Sequence, residues 1–105
     1  MSDCLFCKII NKEIPSRIEH EDDLCFGFHD INPQAKVHVL LVPRKHIPTI
    51  KDLEPGDEKL MGHLVQVAQK IAAKHNLDGY KLQFNVGEKG GQEIFHVHLH
   101  LLGNS

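Results

Sequence analysis

The chain has 105 residues, 41% of them hydrophobic and 25% charged, with 12 Lys and Arg against 14 Asp and Glu for a formal net charge of −2. That length and balance suit one globular domain over residues 1–105 whose core holds without a disulfide or metal, and they exclude the broad basic footprint of a nucleic-acid binder. No apolar run approaches the ~20 residues of a membrane span and Met1 to Lys8 lacks the basic-then-apolar layout of a secretion signal, so no membrane association and a cytoplasmic location are expected.

Leu5 to Lys12 reads as a short amphipathic helix with Leu5, Phe6, Ile9 and Ile10 apolar, stopped by Pro15. Arg17 to His20 and Leu24 to His29 read as a hairpin around the acidic turn Glu21-Asp22-Asp23. Val37 to Val42 is a β-branched strand closed by Pro43, and a basic loop follows from Arg44 to Lys51. From about Pro55 to His75, Leu60, Leu64, Val67, Ala68, Ile71 and Ala72 recur at three- and four-residue spacing, which predicts a long helix. Its ends are marked by Pro55, Asp57 and Glu58 at the start and by Lys70, Lys74, His75 and a left-handed Asn76 at the finish. Gly62 within it suggests close approach of another backbone, such as a partner helix. Tyr80 to Val86 is the next strand, Gly87 to Gly91 a flexible loop, and Ile94 to Leu102 a final strand. The sum is an α+β fold, a mainly antiparallel five-stranded sheet with one short N-terminal helix and one long helix.

Nine histidines are the anomaly in this composition. In His96-Val97-His98-Leu99-His100-Leu101-Leu102, strand alternation sends three imidazoles to one face and Val97, Leu99 and Leu101 to the other, against the long helix. Neighbouring imidazoles suppress one another's protonation, so the row should hold neutral rings able to attack or bind. Adjacent rings, about 6.6 Å apart, can share an ion, but the outer two, about 13 Å apart, cannot join them. Gly90-Gly91-Gln92-Glu93 offers backbone N–H donors of the kind a phosphate or oxyanion requires. Cys4 and Cys7 have the spacing of a metal knuckle or a redox pair, and three cysteines in all argue against a disulfide framework. Cys25 alternates with Gly27 as a small buried filler, while His20, His63 and His75 read as solvent-facing or as complementing the helix dipole.

These residues resemble the histidine triad (HIT) family of hydrolases and transferases, whose signature is His-x-His-x-His followed by apolar residues; His96 to Leu102 matches it throughout. The likeness extends to Cys7 to Pro15, Phe28 to Ala35 and Val37 to Pro43, and is greatest with the Hint-like branch that hydrolyses purine nucleoside phosphoramidates. The resemblance implies a HIT-like fold, a homodimer with paired sheets and a purine nucleotide substrate. It makes His98 the nucleophile at the α-phosphorus, forming a covalent nucleotidyl-imidazole that water resolves without a metal. The carbonyl of His96 fixes the His98 tautomer, and His38 and His100 orient the phosphate side and assist proton movement. Asp30 is the implied ribose acceptor; Phe6, Ile9, Phe28, His29 and Ile31 the base pocket; Asn85, Gln92 and Glu93 the groups near ribose, phosphate or leaving group. No cofactor is implied for catalysis, but a structural zinc is, through Cys4, Cys7, His46 and His96.

Two departures bear on leaving-group preference. Glu93 stands where some members have a serine, and only Asn104 and Ser105 follow Gly103 where this branch continues with a tail reaching the partner's active site. Alternative readings are a dinucleoside polyphosphate hydrolase, served by the same row, and a non-catalytic nucleotide-binding or zinc-stabilised interaction module.

Overall fold

The computed structural model describes residues 3–104; Met1, Ser2 and Ser105, which enter the terminal readings above, lie outside the described residues. Helix α1, Leu5–Ile10, opens on Cys4, whose Sγ accepts the Cys7 amide at 3.4 Å. It stops short of the expected Lys12 because Lys12 turns left-handed (φ 63°) and the Glu13 amide folds back onto the Lys8 carbonyl. Strands β1, Ile18–Glu21, and β2, Cys25–His29, form the expected hairpin, and β3, Val37–Pro43, is buried along its whole length. Asp22 shapes the hairpin turn by accepting the Leu24 and Cys25 amides on Oδ1 at 2.7 and 2.8 Å.

Helix α2, Asp57–Lys74, begins two residues after Pro55, since Gly56 adopts a left-handed φ of 98° and serves as the N-cap. Asn76 takes the left-handed conformation expected of it, at φ 58°. Strand β4 is only Lys81–Gln83 and β5 only Leu99–Gly103, both shorter than the periodicity predicts. The reason lies in the partners. The Val97 amide is taken at 2.7 Å by the carbonyl of Ile47, in the loop after β3, and the His96 amide turns back to Ile94, so residues 94–98 leave the ladder. β4 lies at the sheet edge and pairs only with Leu102 to His100 of β5.

The sheet order is β1-β2-β3-β5-β4, every neighbouring pair antiparallel. Its two faces carry separate cores. Val39, Leu41, Leu99 and Leu101 meet Leu64, Val67, Ala68, Ile71 and Ala72 of α2, with Cys25 buried among them as a filler whose thiol burial raises to about 12. On the other face Phe26, Phe28, Leu40 and Val42 meet Phe6, Ile9 and Ile10 of α1. A Cβ at Gly103 would sit 2.6 Å from Leu77 Cδ1, so a side chain there would have to push Leu77 aside. Among the described residues no helix is long and apolar enough to cross a membrane.

Leu64 is fully buried at the centre of the α2 core. Leu64→Ala should therefore lower unfolding free energy by about 2–5 kcal/mol, read from the midpoint of a urea titration at unchanged m-value.

Candidate active site

Residues of β3, β5 and the segment before β5 meet on the α1 face of the sheet. His98 donates from Nδ1 to the main-chain carbonyl of His96 at 2.8 Å, which fixes one tautomer and leaves the Nε2 lone pair unprotonated. Phe6 of α1 stands edge-on to the His98 ring at 5.0 Å, and the His100 ring lies 4.9 Å from it. His38 Nδ1 accepts the Gln34 amide at 3.1 Å, so its proton resides on Nε2, which points at His100 Nδ1 at 3.0 Å. His100 in turn carries its proton on Nε2. Three hydrogen bonds thus set three tautomers, the His96 carbonyl fixing His98 and the Gln34 amide fixing His38 and, through it, His100, with an unprotonated nitrogen on His98 and an N–H on His100.

Burial keeps these rings neutral. His98 and His38 are held below the usual imidazole range first by desolvation, against which the His96 carbonyl and Asp30, respectively, push back. Burial and the facing His98 and His38 rings lower His100 to about 4. Asp30 Oδ2 lies 3.6 Å from His38 Nε2, while Oδ1 accepts the Asn32 amide.

These groups border a cavity of about 780 Å³, also lined by Phe6, Ile9, Phe28, Asp30, Ile31, Asn85 and Glu93. Phe6 and Phe28 meet edge to face at 5.4 Å, and Ile31 stands 90% exposed at the rim, an apolar side chain with nothing of its own chain to cover it. Asn85 bridges Gln83 and the Gly90 carbonyl. Leu40, Gln83 and Leu102 also line the cavity without having been anticipated, and Gln34 sets a tautomer through its main chain, which no side-chain pattern announces.

Four expectations need correction. His96, His98 and His100 do not form one row: residues 94–98 are off the ladder, and the His96 ring points to His46 and the cysteines, so His38 of β3 completes the group instead. His29 lines the cavity, but its Nε2 is bonded to Glu19 at 2.7 Å and its ring meets His75 of α2, so the imidazole itself is turned to the α2 side. Gln92 is buried and spends its amide on the Gly87 amide and on the Pro48 and Ile94 carbonyls, holding the glycine loop rather than a ligand. The loop itself is a short 3-10 turn, Glu88–Gly90, that uses the Gly90, Gly91 and Gln92 amides internally. Glu93 borders the cavity and its amide takes part in none of those bonds.

The histidines read as solvent-facing are also engaged. Burial alone would raise Glu19, but hydrogen bonds from Lys74, His29 and His75 outweigh it and hold its carboxyl below the usual range. His20 and His63 both meet Asp22.

Cys4, Cys7, His46 and His96 converge as the sequence resemblance implies. His96 Nδ1 lies 3.4 Å from Cys4 Sγ, 3.6 Å from Cys7 Sγ and 3.1 Å from His46 Nδ1, with Cys7 Sγ 3.4 Å from His46 Nδ1. A tetrahedral ion with bonds of about 2.0 Å to nitrogen and 2.3 Å to sulfur separates its ligands by about 3.3–3.8 Å, so the set fits zinc. The other nitrogen of His96 donates to the Pro43 carbonyl at 2.8 Å, aiming the Nδ1 lone pair at the thiols.

Known proteins similar to this chain identify its family. A family model described as scavenger mRNA decapping enzyme C-terminal binding matches residues 3–105. The purine nucleoside phosphoramidase of Escherichia coli is 46% identical over 101 residues, covering 94% of this chain and 85% of that protein. A HIT family hydrolase from Legionella pneumophila superposes with a TM-score of 0.94 at 48% identity, covering 96% of this chain and 92% of the other. A histidine triad protein from Clostridium difficile gives 0.95 at 40% identity, covering 100% and 93%. By sequence, fold and the histidine arrangement together, this chain belongs to the histidine triad family of hydrolases.

Proposed function

We propose that the chain hydrolyses purine nucleoside phosphoramidates at the α-phosphorus through a covalent nucleotide on His98. One observation carries this reading: His98 presents an unprotonated Nε2 in a fixed tautomer beside the His38–His100 pair. Attack forms the bond from His98 Nε2 to phosphorus and breaks the phosphorus–nitrogen bond. The departing amine takes a proton that reaches it from solvent by way of the His100 Nε2 side. Water then attacks the nucleotidyl-imidazolium, the ring leaves as neutral imidazole, and the water proton returns to solvent, so the sum is phosphoramidate plus water to nucleoside monophosphate plus amine. Phe6, Phe28, Ile9 and Ile31 supply the apolar wall for the base and Asp30 the acceptor for a ribose hydroxyl, with Asn85 and Glu93 nearer the phosphate.

The proposal includes a structural zinc on Cys4, Cys7, His46 and His96, which supplies no chemistry and ties α1 to the segment before β5. A reducing, cytoplasmic setting suits thiolate ligands. It also includes a homodimer, supported by the edge position of β4, by exposed Leu82 within that strand and by exposed Val65 on α2.

On adenosine 5′-phosphoramidate, His98→Ala should lose about a thousandfold or more in kcat, and mass spectrometry of quenched wild type should find a nucleotidyl adduct missing from the variant; an unchanged rate defeats the reading. A higher kcat/KM on a dinucleoside tetraphosphate would move the assignment to a polyphosphate hydrolase, and no turnover of either would leave a binding module. Protein purified without chelator should carry about one zinc per chain, and stripping it should lower Tm; less than about a tenth of an equivalent argues against the metal. Because folded His100 resists protonation down to about 4 while an unfolded histidine titrates near 6.5, its contribution to stability is full above about pH 6.5 and drains away as pH falls. Tm should accordingly be lower at pH 5 than at pH 7.5, with a smaller difference in His100→Asn.

A further inference from the structure

On the α2 face of the sheet a second set of ligand-type side chains converges, and the chemistry above leaves it unused. Asp22 Oδ2 lies 2.6 Å from Nε2 of His20 on β1 and 2.7 Å from Nε2 of His63 on α2. Asp22 is aimed by its other oxygen, which the Leu24 and Cys25 amides hold. Cys25 Sγ closes one side at 3.7 Å, and all four ligand-type atoms lie within 4.8 Å of one another. The side chains of His20, Asp22 and His63 each keep 29% exposure, so a hydrated ion has access and water can fill the remaining coordination positions.

We propose that His20, Asp22 and His63 form a divalent-cation site, distinct from the Cys4–Cys7 cluster, for a borderline transition ion such as Zn²⁺ or Co²⁺. Two imidazole nitrogens and one carboxylate oxygen are the donor set such ions take with open positions, whereas Mg²⁺ and Ca²⁺ prefer oxygen throughout. In this structure each Nε2 donates to Asp22 Oδ2; in the bound state each neutral ring moves that proton to Nδ1, gives the Nε2 lone pair to the ion and draws back from Oδ2 to the wider separation of shared ligands. The neighbouring Glu19, His29 and His75 have the same residue types but do not qualify, because Lys74 Nζ already holds Glu19 at 3.1 Å and its charge repels a cation. At Asp22 the adjacent cation is differently placed. Arg44 donates to the Asp22 main-chain carbonyl at 2.6 Å and pairs with Glu21 at 3.1 Å, leaving Oδ2 to the imidazoles. An ion here joins β1, the hairpin turn and α2, so it should act as a staple.

The test is titration of the whole chain, first given one equivalent of Zn²⁺, with Co²⁺ followed by calorimetry and histidine NMR. The expected result is one further equivalent per chain, movement of the His20 and His63 imidazole resonances and a Tm higher by several degrees. His63→Asn and His20→Asn should each abolish that second equivalent while keeping the first zinc and the wild-type circular dichroism. Should the first equivalent itself move His20 and His63, the Asp22 site stands and the Cys4–Cys7 reading falls. Wild-type His20 and His63 resonances unmoved at saturating Co²⁺, or a second equivalent that persists in His63→Asn, would overturn the proposal without depending on how the variants fold.

Discussion

The hydrogen bond from His98 Nδ1 to the His96 carbonyl governs the site. An imidazole has two nitrogens of nearly equal basicity, and only an external partner decides which one carries the proton. The carbonyl makes that choice at 2.8 Å, and a main-chain oxygen cannot rotate away or be titrated. The Gln34 amide makes the corresponding choice for His38, and the choice passes to His100 through a 3.0 Å contact. Burial then discourages the charged form of each ring, so proton positions set by the backbone persist at neutral pH.

His96 therefore serves in two directions. Its main chain holds the His98 ring, and its own ring joins a cluster with Cys4, Cys7 and His46 beside α1. Phe6, lying between those cysteines in sequence, packs on both His96 and His98. A six-residue helix is too short to be stable by itself. Its docking depends on the Phe6, Ile9 and Ile10 contacts, so the order of α1 and the order of the His98 ring are physically linked.

The two sheet faces divide the work. Leu99 and Leu101 anchor β5 against α2, fixing the strand from below, while His100 and Leu40 lie opposite each other on the α1 face that carries the cavity. The α2 face gathers its own polar clusters where His63 and His75 reach down to Asp22 and Glu19 of the hairpin.

Local pattern alone determined the long helix, because its apolar stripe and end signals act within a few turns, and the buried β3 and the hairpin, whose β-branched and turn residues are equally local. The His-x-His-x-His motif likewise marked a stretch that borders the cavity, through His98 and His100. Only the tertiary structure decided where alternation stops: the Ile47 carbonyl captures the Val97 amide and turns His96 away from its neighbours. Only it could bring His20 and His63, 43 positions apart, onto one carboxylate, or turn His29 toward α2 and bury Gln92 in a loop. Each of those outcomes depends on a partner distant in sequence, and a hydrogen bond leaves no periodic trace in the residues that make it.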